Sequence, residues 1–259
     1  MPLLDHFRPP IWTQTHWESF HTRWAVSIAN ALNRRLPKRF TAEPQVHVGS
    51  RIESDVAEFD TRPGTRPEPV GGRNGTDHGP GGEGGVAVAV EPAVATDPTT
   101  DADYTLTVPV GLIDQFAIDV WDTERGFRLA GAIELVSPGN KDRADARQMF
   151  VGKAAGYLLT GVGLVVVDVV TNRSANLHNE LIRLHGGSED QLMPDAPATY
   201  TAAYAPTPGP KSIRLDVWAA PLVIGQELPP RPLKVLGFGI VMVDLAATYR
   251  EACEWSRLG

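Results

Sequence analysis

One stretch of the chain concentrates residue types that do chemistry: Ile133-Glu134-Leu135-Val136-Ser137-Pro138-Gly139-Asn140-Lys141, followed at once by Asp142 and Arg143. An apolar run with the character of a strand carries a single carboxylate, Glu134, and stops at a Ser-Pro turn. An unpaired carboxylate in a buried strand is costly to desolvate, so Glu134 needs a compensating charge. A metal ion or a nearby lysine is the usual answer. An acid and an amine would then meet at a strand end, where sheet proteins commonly place their ligands. The plainer reading is an ion pair of Glu134 with Lys141 or Arg143 at a sheet edge, with Ser137 and Asn140 serving only the turn and the helix N-cap.

Other reactive groupings are absent from the sequence. His6, His16, His21, His47, His78, His178 and His185 form no metal-spaced pair on a helix face. There is no His-x-x-x-His, no phosphate-binding glycine loop and no nucleophile elbow. Gly81-Gly82-Glu83-Gly84-Gly85 has linker composition and lacks a strand-to-helix setting.

The elements that must position Glu134 follow from periodicity. Trp17, Phe20, Trp24, Ile28, Ala31 and Leu32 recur at mostly three- and four-residue steps, which predicts an amphipathic helix from Trp17 to Leu36. Thr15 would cap it, with Glu18 completing a capping box, and Pro37 would stop it. Phe40 to Val48 and residues 53–59 read as extended segments. From Arg62 to Asp103, Gly, Pro, Asp and Thr dominate, and this composition buries too little apolar surface to offset its ordering entropy. The expectation is a single domain, 1–259, with a flexible insertion at 62–103 in which only Val86 to Val90 has strand character.

Beyond the insertion, Phe116 to Trp121, the turn Asp122 to Gly126 and Phe127 to Val136 predict a hairpin. Asp142 to Thr160 reads as one helix, ended by Gly161 in the left-handed conformation that glycine adopts cheaply. Leu164 to Val170 is the apolar run of a strand buried on both faces, so Ile133 to Val170 should form a parallel crossover. A short helix at 177–185, strands at 200–204 and 213–220, and a closing helix at 244–258 complete the reading. The expected architecture is α/β (α+β), a mixed central sheet flanked by helices.

The 259 residues, 42% of them hydrophobic, suit one domain with a sizeable core. A net charge of -7 provides no global basic field for nucleic acid, although Arg34, Arg35, Lys38 and Arg39 cluster at a helix end that the macrodipole favours. One cysteine, Cys253, supports neither a disulfide framework nor a cysteine zinc site. No apolar run is long enough to cross a bilayer, and residues 1–10 lack a signal-peptide core, so a cytoplasmic, reducing setting is expected.

Several separated segments then form a recognisable order: "HWESFHTRWAVSIANALNRRLPKRF", "AIELVSPGNK", "MFVGKAAGYLLTGVGLVVVDV", "LPPRPLKV" and "MVDLAATYREACEWSRL". Together they resemble the bacterial domain-of-unknown-function family 4058. The Glu-x-x-Ser-Pro strand end, followed by a helix with Asp, Lys and Tyr and an apolar strand with Asp, is also similar to Uma-type proteins of the restriction-endonuclease-like superfamily. Their PD-(D/E)xK core consists of a helix, a three-stranded meander, a crossover helix and a further strand.

That resemblance implies a Mg²⁺-dependent nuclease or phosphodiesterase site acting on nucleic acid. Glu134 would be its acid, and Asp55 in "ESDVAEF" the preceding aspartate, with Ser54 where the motif has Pro. Val136 stands where the motif expects Lys, so Lys141 or Lys153 would bring the ammonium from the helix. Lys153 follows Asp142 by about three turns and would share its face. Glu18 is an additional acid. Asp114 competes for the Asp55 role, because a hairpin centred on Glu124 sets Asp114 opposite Glu134; the same register sets Asp119 opposite Leu129, too far along the strand to help. Two carboxylates could hold Mg²⁺ and a lysine could steady the phosphate. The missing motif lysine and the acidic net charge favour the alternative, a catalytically inactive module on the same fold that binds a protein partner or a second copy. In the plainer reading Asp55 caps a turn and Lys153 is a solvated helix residue.

Overall fold

A computed structural model describes residues 1–47, 115–194, 196–209 and 212–258. All of these belong to one of the two units into which the chain divides, Met1–Val56 with Gly111–Gly259. The expected extended segments at 53–59 and 86–90, the insertion at 62–103, and both Asp55 and Asp114 lie outside the described residues.

The first helix, α1, spans Trp17–Asn33 and buries Phe20, Trp24, Ile28 and Leu32, as the periodicity requires. Its N-cap is His16, without a side-chain cap, so the expected Thr15 capping box does not form. The strands that follow are β1 (Phe40–His47), β2 (Gln115–Asp122) and β3 (Arg128–Leu135), paired antiparallel in succession. A crossover leads from β3 to β4 (Gly163–Asp168), which runs parallel to β3. Two antiparallel strands, β5 (Tyr200–Pro208) and β6 (Ile213–Pro221), complete a six-stranded mixed sheet ordered β1-β2-β3-β4-β5-β6. The molecule is therefore mixed α/β, as expected.

The crossover is two helices rather than one. A short α2 (Pro138–Asp142) starts on a capping box in which the Asn140 amide donates to the Ser137 hydroxyl and the Ser137 amide donates to Asn140 Oδ1. Arg143 is extended, with ψ 155°, and α3 (Ala144–Leu159) begins anew. The break removes the helical register that would have put Asp142 and Lys153 on one face; Asp142 pairs instead with Arg173. A fourth helix, α4 (Leu177–Leu184), and a fifth, α5 (Leu245–Trp255), follow.

The sheet separates two environments. Successive strand residues point to opposite faces. Phe116, Ile118 and Val120 of β2 and Ile133 and Leu135 of β3 face one side, where Phe116 meets the rings of Trp17 and His21. There α1 packs on β1, β2 and α5, and Trp24 donates to the Thr248 hydroxyl at 3.2 Å. A two-stranded hairpin, β7 (Arg231–Val235) with β8 (Gly239–Val243), was not foreseen from sequence. Strand β7 crosses β3, β4 and β5 so closely that a Cβ at Gly163 would lie 2.2 Å from the Lys234 carbonyl oxygen. Glu134 belongs to the other face, beneath α3.

Three histidines are buried in the neutral form. Burial lowers His6 and His178 from 6.5 to about 4 and His21 to about 3; His6 and His178 each bond a tyrosine hydroxyl at 2.7 Å. A histidine whose folded pKa is depressed contributes stability that is present above its unfolded pKa and is lost as pH falls toward the folded value. Stability should therefore drop as pH falls from about 6.5 toward 4. His21, which has no hydrogen-bond partner among the described residues, gives a direct check. The His21→Leu variant should lose less melting temperature than wild type between neutral pH and pH 5, and an equal loss would refute the assignment.

Candidate active site

Glu134 sits at the end of β3, 2% exposed. Its neighbour across β2 is Ala117, and Asp119 faces Ala132, so Glu134, Ala132, Ala117 and Asp119 share one face of the sheet. This corrects the register expected from the turn, which had Asp114 opposite Glu134 and Asp119 opposite Leu129. The turn is centred on Arg125 rather than Glu124: Asp122 pairs with Arg128, and a 3-10 turn, Thr123–Arg125, precedes left-handed Gly126 and Phe127. A bulge between Val120 and Trp121 shifts the inner ladder again. The two displacements bring Asp119 beside Glu134. On the outer side Asp119 pairs with Glu43 of β1, an exposed third acid on the same face.

The amine comes from α3. Lys153 Nζ donates to Glu134 Oε2 at 2.8 Å, and the Tyr157 hydroxyl donates to Glu134 Oε1 at 3.3 Å. Lys153 and Tyr157 stand four residues apart and so project from the same helical face. Lys153 is therefore brought to Glu134 from the helix side, although Asp142 has no part in placing it. Its side chain is 31% exposed, so the ammonium links the buried carboxylate to solvent.

Lys141 is placed elsewhere. It pairs with Asp168 at the end of β4, 2.8 Å away, with both side chains fully buried. Its ammonium also donates to the carbonyls of Ala198, at 3.2 Å, and Val170, at 3.5 Å. With its donors engaged and no solvent access, Lys141 anchors the start of the crossover and is not the amine of Glu134. Neither Lys141 nor Arg143 forms the edge ion pair considered for Glu134. The Arg34–Arg39 cluster is also partly engaged within the fold: Arg39 pairs with Asp122 and Arg35 donates to the Met242 carbonyl.

The electrostatics of Asp119 and Glu134 are alike. Burial raises the Glu134 carboxyl above its ordinary value; Lys153 opposes the rise and Asp119 adds to it. Burial also raises Asp119, opposed by Lys153 and reinforced by Glu43. Asp119 is 8% exposed, and its Oδ1 has no hydrogen-bond partner among the described residues. Among the described residues one half-buried lysine thus serves a face carrying three carboxylates, and this shortage of positive charge is one that a hard cation would relieve. Among the described residues no set of three His, Cys, Asp or Glu converges as a metal cage. Mg²⁺ needs no such cage, because it retains several waters and binds through one or two carboxylates. Asp119 and Glu134 fit that requirement.

Asp119 is the residue that sequence reasoning weighed and set aside. Its signal was nonetheless present, since Asp119 interrupts an apolar strand as Glu134 does. Tyr157 is the tyrosine of the helix pattern noted in the sequence, where nothing marks it as a partner of Glu134.

The chain matches no family model, no curated protein and no solved structure.

Removing the amine should expose the cost of the acid. Lys153→Met leaves a buried carboxylate without a cation and should destabilise the fold by about 3 kcal/mol at neutral pH. Below the unfolded pKa of glutamate the carboxyl is protonated in both states, and the penalty should disappear. Adding Glu134→Gln to Lys153→Met should recover most of the loss at neutral pH. Denaturant melts of the single and double variants at two pH values test this.

Proposed function

We propose that the chain is a metal-dependent nuclease or phosphodiesterase built on a PD-(D/E)xK-like core, with Asp119 and Glu134 as the carboxylates and Lys153 as the amine. The observation that carries this reading is the convergence of two buried acids from adjacent strands, both raised in pKa, on one helix-borne lysine, with Asp119 Oδ1 unpartnered among the described residues. The element order supports it: a helix, a β1-β2-β3 meander, a helical crossover and a parallel β4 match the core that the sequence resemblance implies. The lysine missing two positions after Glu134, where Val136 is buried, is replaced from the crossover helix.

Each residue has a role in phosphodiester hydrolysis. A bound Mg²⁺ would acidify a water and neutralise charge developing on the phosphate. Asp119 and Glu134 would hold the ion. Tyr157 fixes one oxygen of Glu134, which restrains the rotamer of the carboxylate. Lys153 is exposed enough to direct its ammonium to a phosphate oxygen, where a positive charge stabilises the transition state. The acidic net charge makes binding depend on this local site rather than on a basic surface.

The inactive binding module draws on one specific observation, that internal partners already occupy both oxygens of Glu134. Two measurements separate the readings. Calorimetric titration with Mg²⁺ should give heat with wild type and none with Asp119→Asn or Glu134→Gln. Cleavage of single- or double-stranded DNA or RNA with Mg²⁺ or Mn²⁺ should fall about 100-fold or more in both variants and in Lys153→Met. Folded wild-type protein that takes up no metal and cuts no substrate would leave the binding module standing.

A further inference from the structure

Among the described residues, the last strand of the sheet has no partner on its outer edge. β6 is nine residues long, about 30 Å of backbone, and there pairs only with β5. Its cover is thin: Leu215 packs partly against the core, no residue from Ile213 to Pro221 is fully buried, and Ile213, Val217 and Trp218 are 39%, 37% and 42% exposed. Two clefts, about 550 and 380 Å³, open beside it beneath α3 and α4, and Leu215 lines both. Leu159 at the end of α3 lines the smaller cleft and is itself 65% exposed. A long apolar edge is a template for another strand, and edges are usually blunted by charged side chains, proline or bulges. Here the charges are of opposite sign and adjacent on one face, Arg214 and Asp216, joined only to each other at 3.1 Å.

We infer that β6 is the dimerisation edge of this protein, and that it pairs antiparallel with β6 of a second copy about a two-fold axis at Leu215. An isologous contact must be self-complementary. In a register centred on Leu215 the five residues Ile213–Val217 of the two copies pair, with Arg214 of each copy opposite Asp216 of the other and Ile213 opposite Val217. Directly opposed residues share a face, so two ion pairs form on one side of the sheet and two apolar pairs on the other. The apolar pairs fall on the side of the clefts, where the second strand extends the apolar floor under α3 and α4. The ion pair within each copy is exposed and contributes little, so exchanging it across the axis costs little. The product is a continuous twelve-stranded sheet, six strands from each copy. This inference does not depend on the chemistry at Glu134.

Charge reversal tests it. Wild type should sediment and scatter as twice the chain mass from micromolar concentrations upward. Asp216→Arg places two arginines opposite each other at both symmetric positions and should be monomeric. Arg214→Asp with Asp216→Arg restores the complement in reversed order and should recover the dimer. Val217→Lys, which sets an ammonium against Ile213, should also be monomeric. Circular dichroism and melting of each monomeric variant should show the wild-type fold, since all three positions are solvent-exposed. A wild type that remains monomeric at hundreds of micromolar, a dimeric Asp216→Arg variant or a double variant that stays monomeric would each overturn the proposal.

Discussion

Acids carried into the interior of a sheet have to be met by cations, and one connection meets two of them. The crossover between β3 and β4 sends Lys141 from its first turn to Asp168 and Lys153 from its main helix to Glu134. The first pair is sealed and ties the start of the crossover to the end of the strand it leads to. The second is open on the lysine side and joins the helix to the preceding strand. Both pairs therefore brace the parallel strand pair, whose long connection is the costly part of this topology to close. Burial raises Asp168 to about 6 even with the ammonium beside it, a measure of how strongly the interior resists the charge.

The two pairs look alike in composition and differ in chemistry because of solvent. Lys141 has three interior acceptors and no access to water, so nothing can compete for its ammonium. Lys153 has one carboxylate and a path to solvent, and a second acid beside that carboxylate leaves the face short of positive charge. A sealed ion pair and a solvent-linked one can thus arise from the same residue types on one connection, separated by twelve positions in sequence.

The remainder of the architecture protects this arrangement. The aromatic layer of α1 and α5 covers one face of the sheet, and the β7-β8 hairpin extends that cover over β3 to β5. The opposite face is left for the helices of the crossover. No helix among the described residues is long and apolar enough to cross a membrane. At the far end of the sheet, the outer edge of β6 is unpaired among the described residues.

Periodicity and composition by themselves determined most of the elements: α1, the apolar strand after Gly161, the hairpin, the parallel crossover and the isolated acid at Glu134 are all local patterns of residue type, and local patterns follow from the 3.6- and 2-residue repeats of the backbone. They also singled out Lys153 as a candidate amine. The residues alone could not select Asp119 over Asp114, because register depends on a bulge and a left-handed turn that together shift pairing by a few positions. They could not send Lys141 to Asp168, because the break at Arg143 redirects the helix in space without a proline or glycine at that position to mark it. They also missed β7 and β8, short strands made by packing rather than by a strong pattern of their own. Which acids and amines meet was decided only by the tertiary structure, since partners distant in sequence are brought together by the register and direction of whole elements, and an error of one or two residues there exchanges one side chain for another.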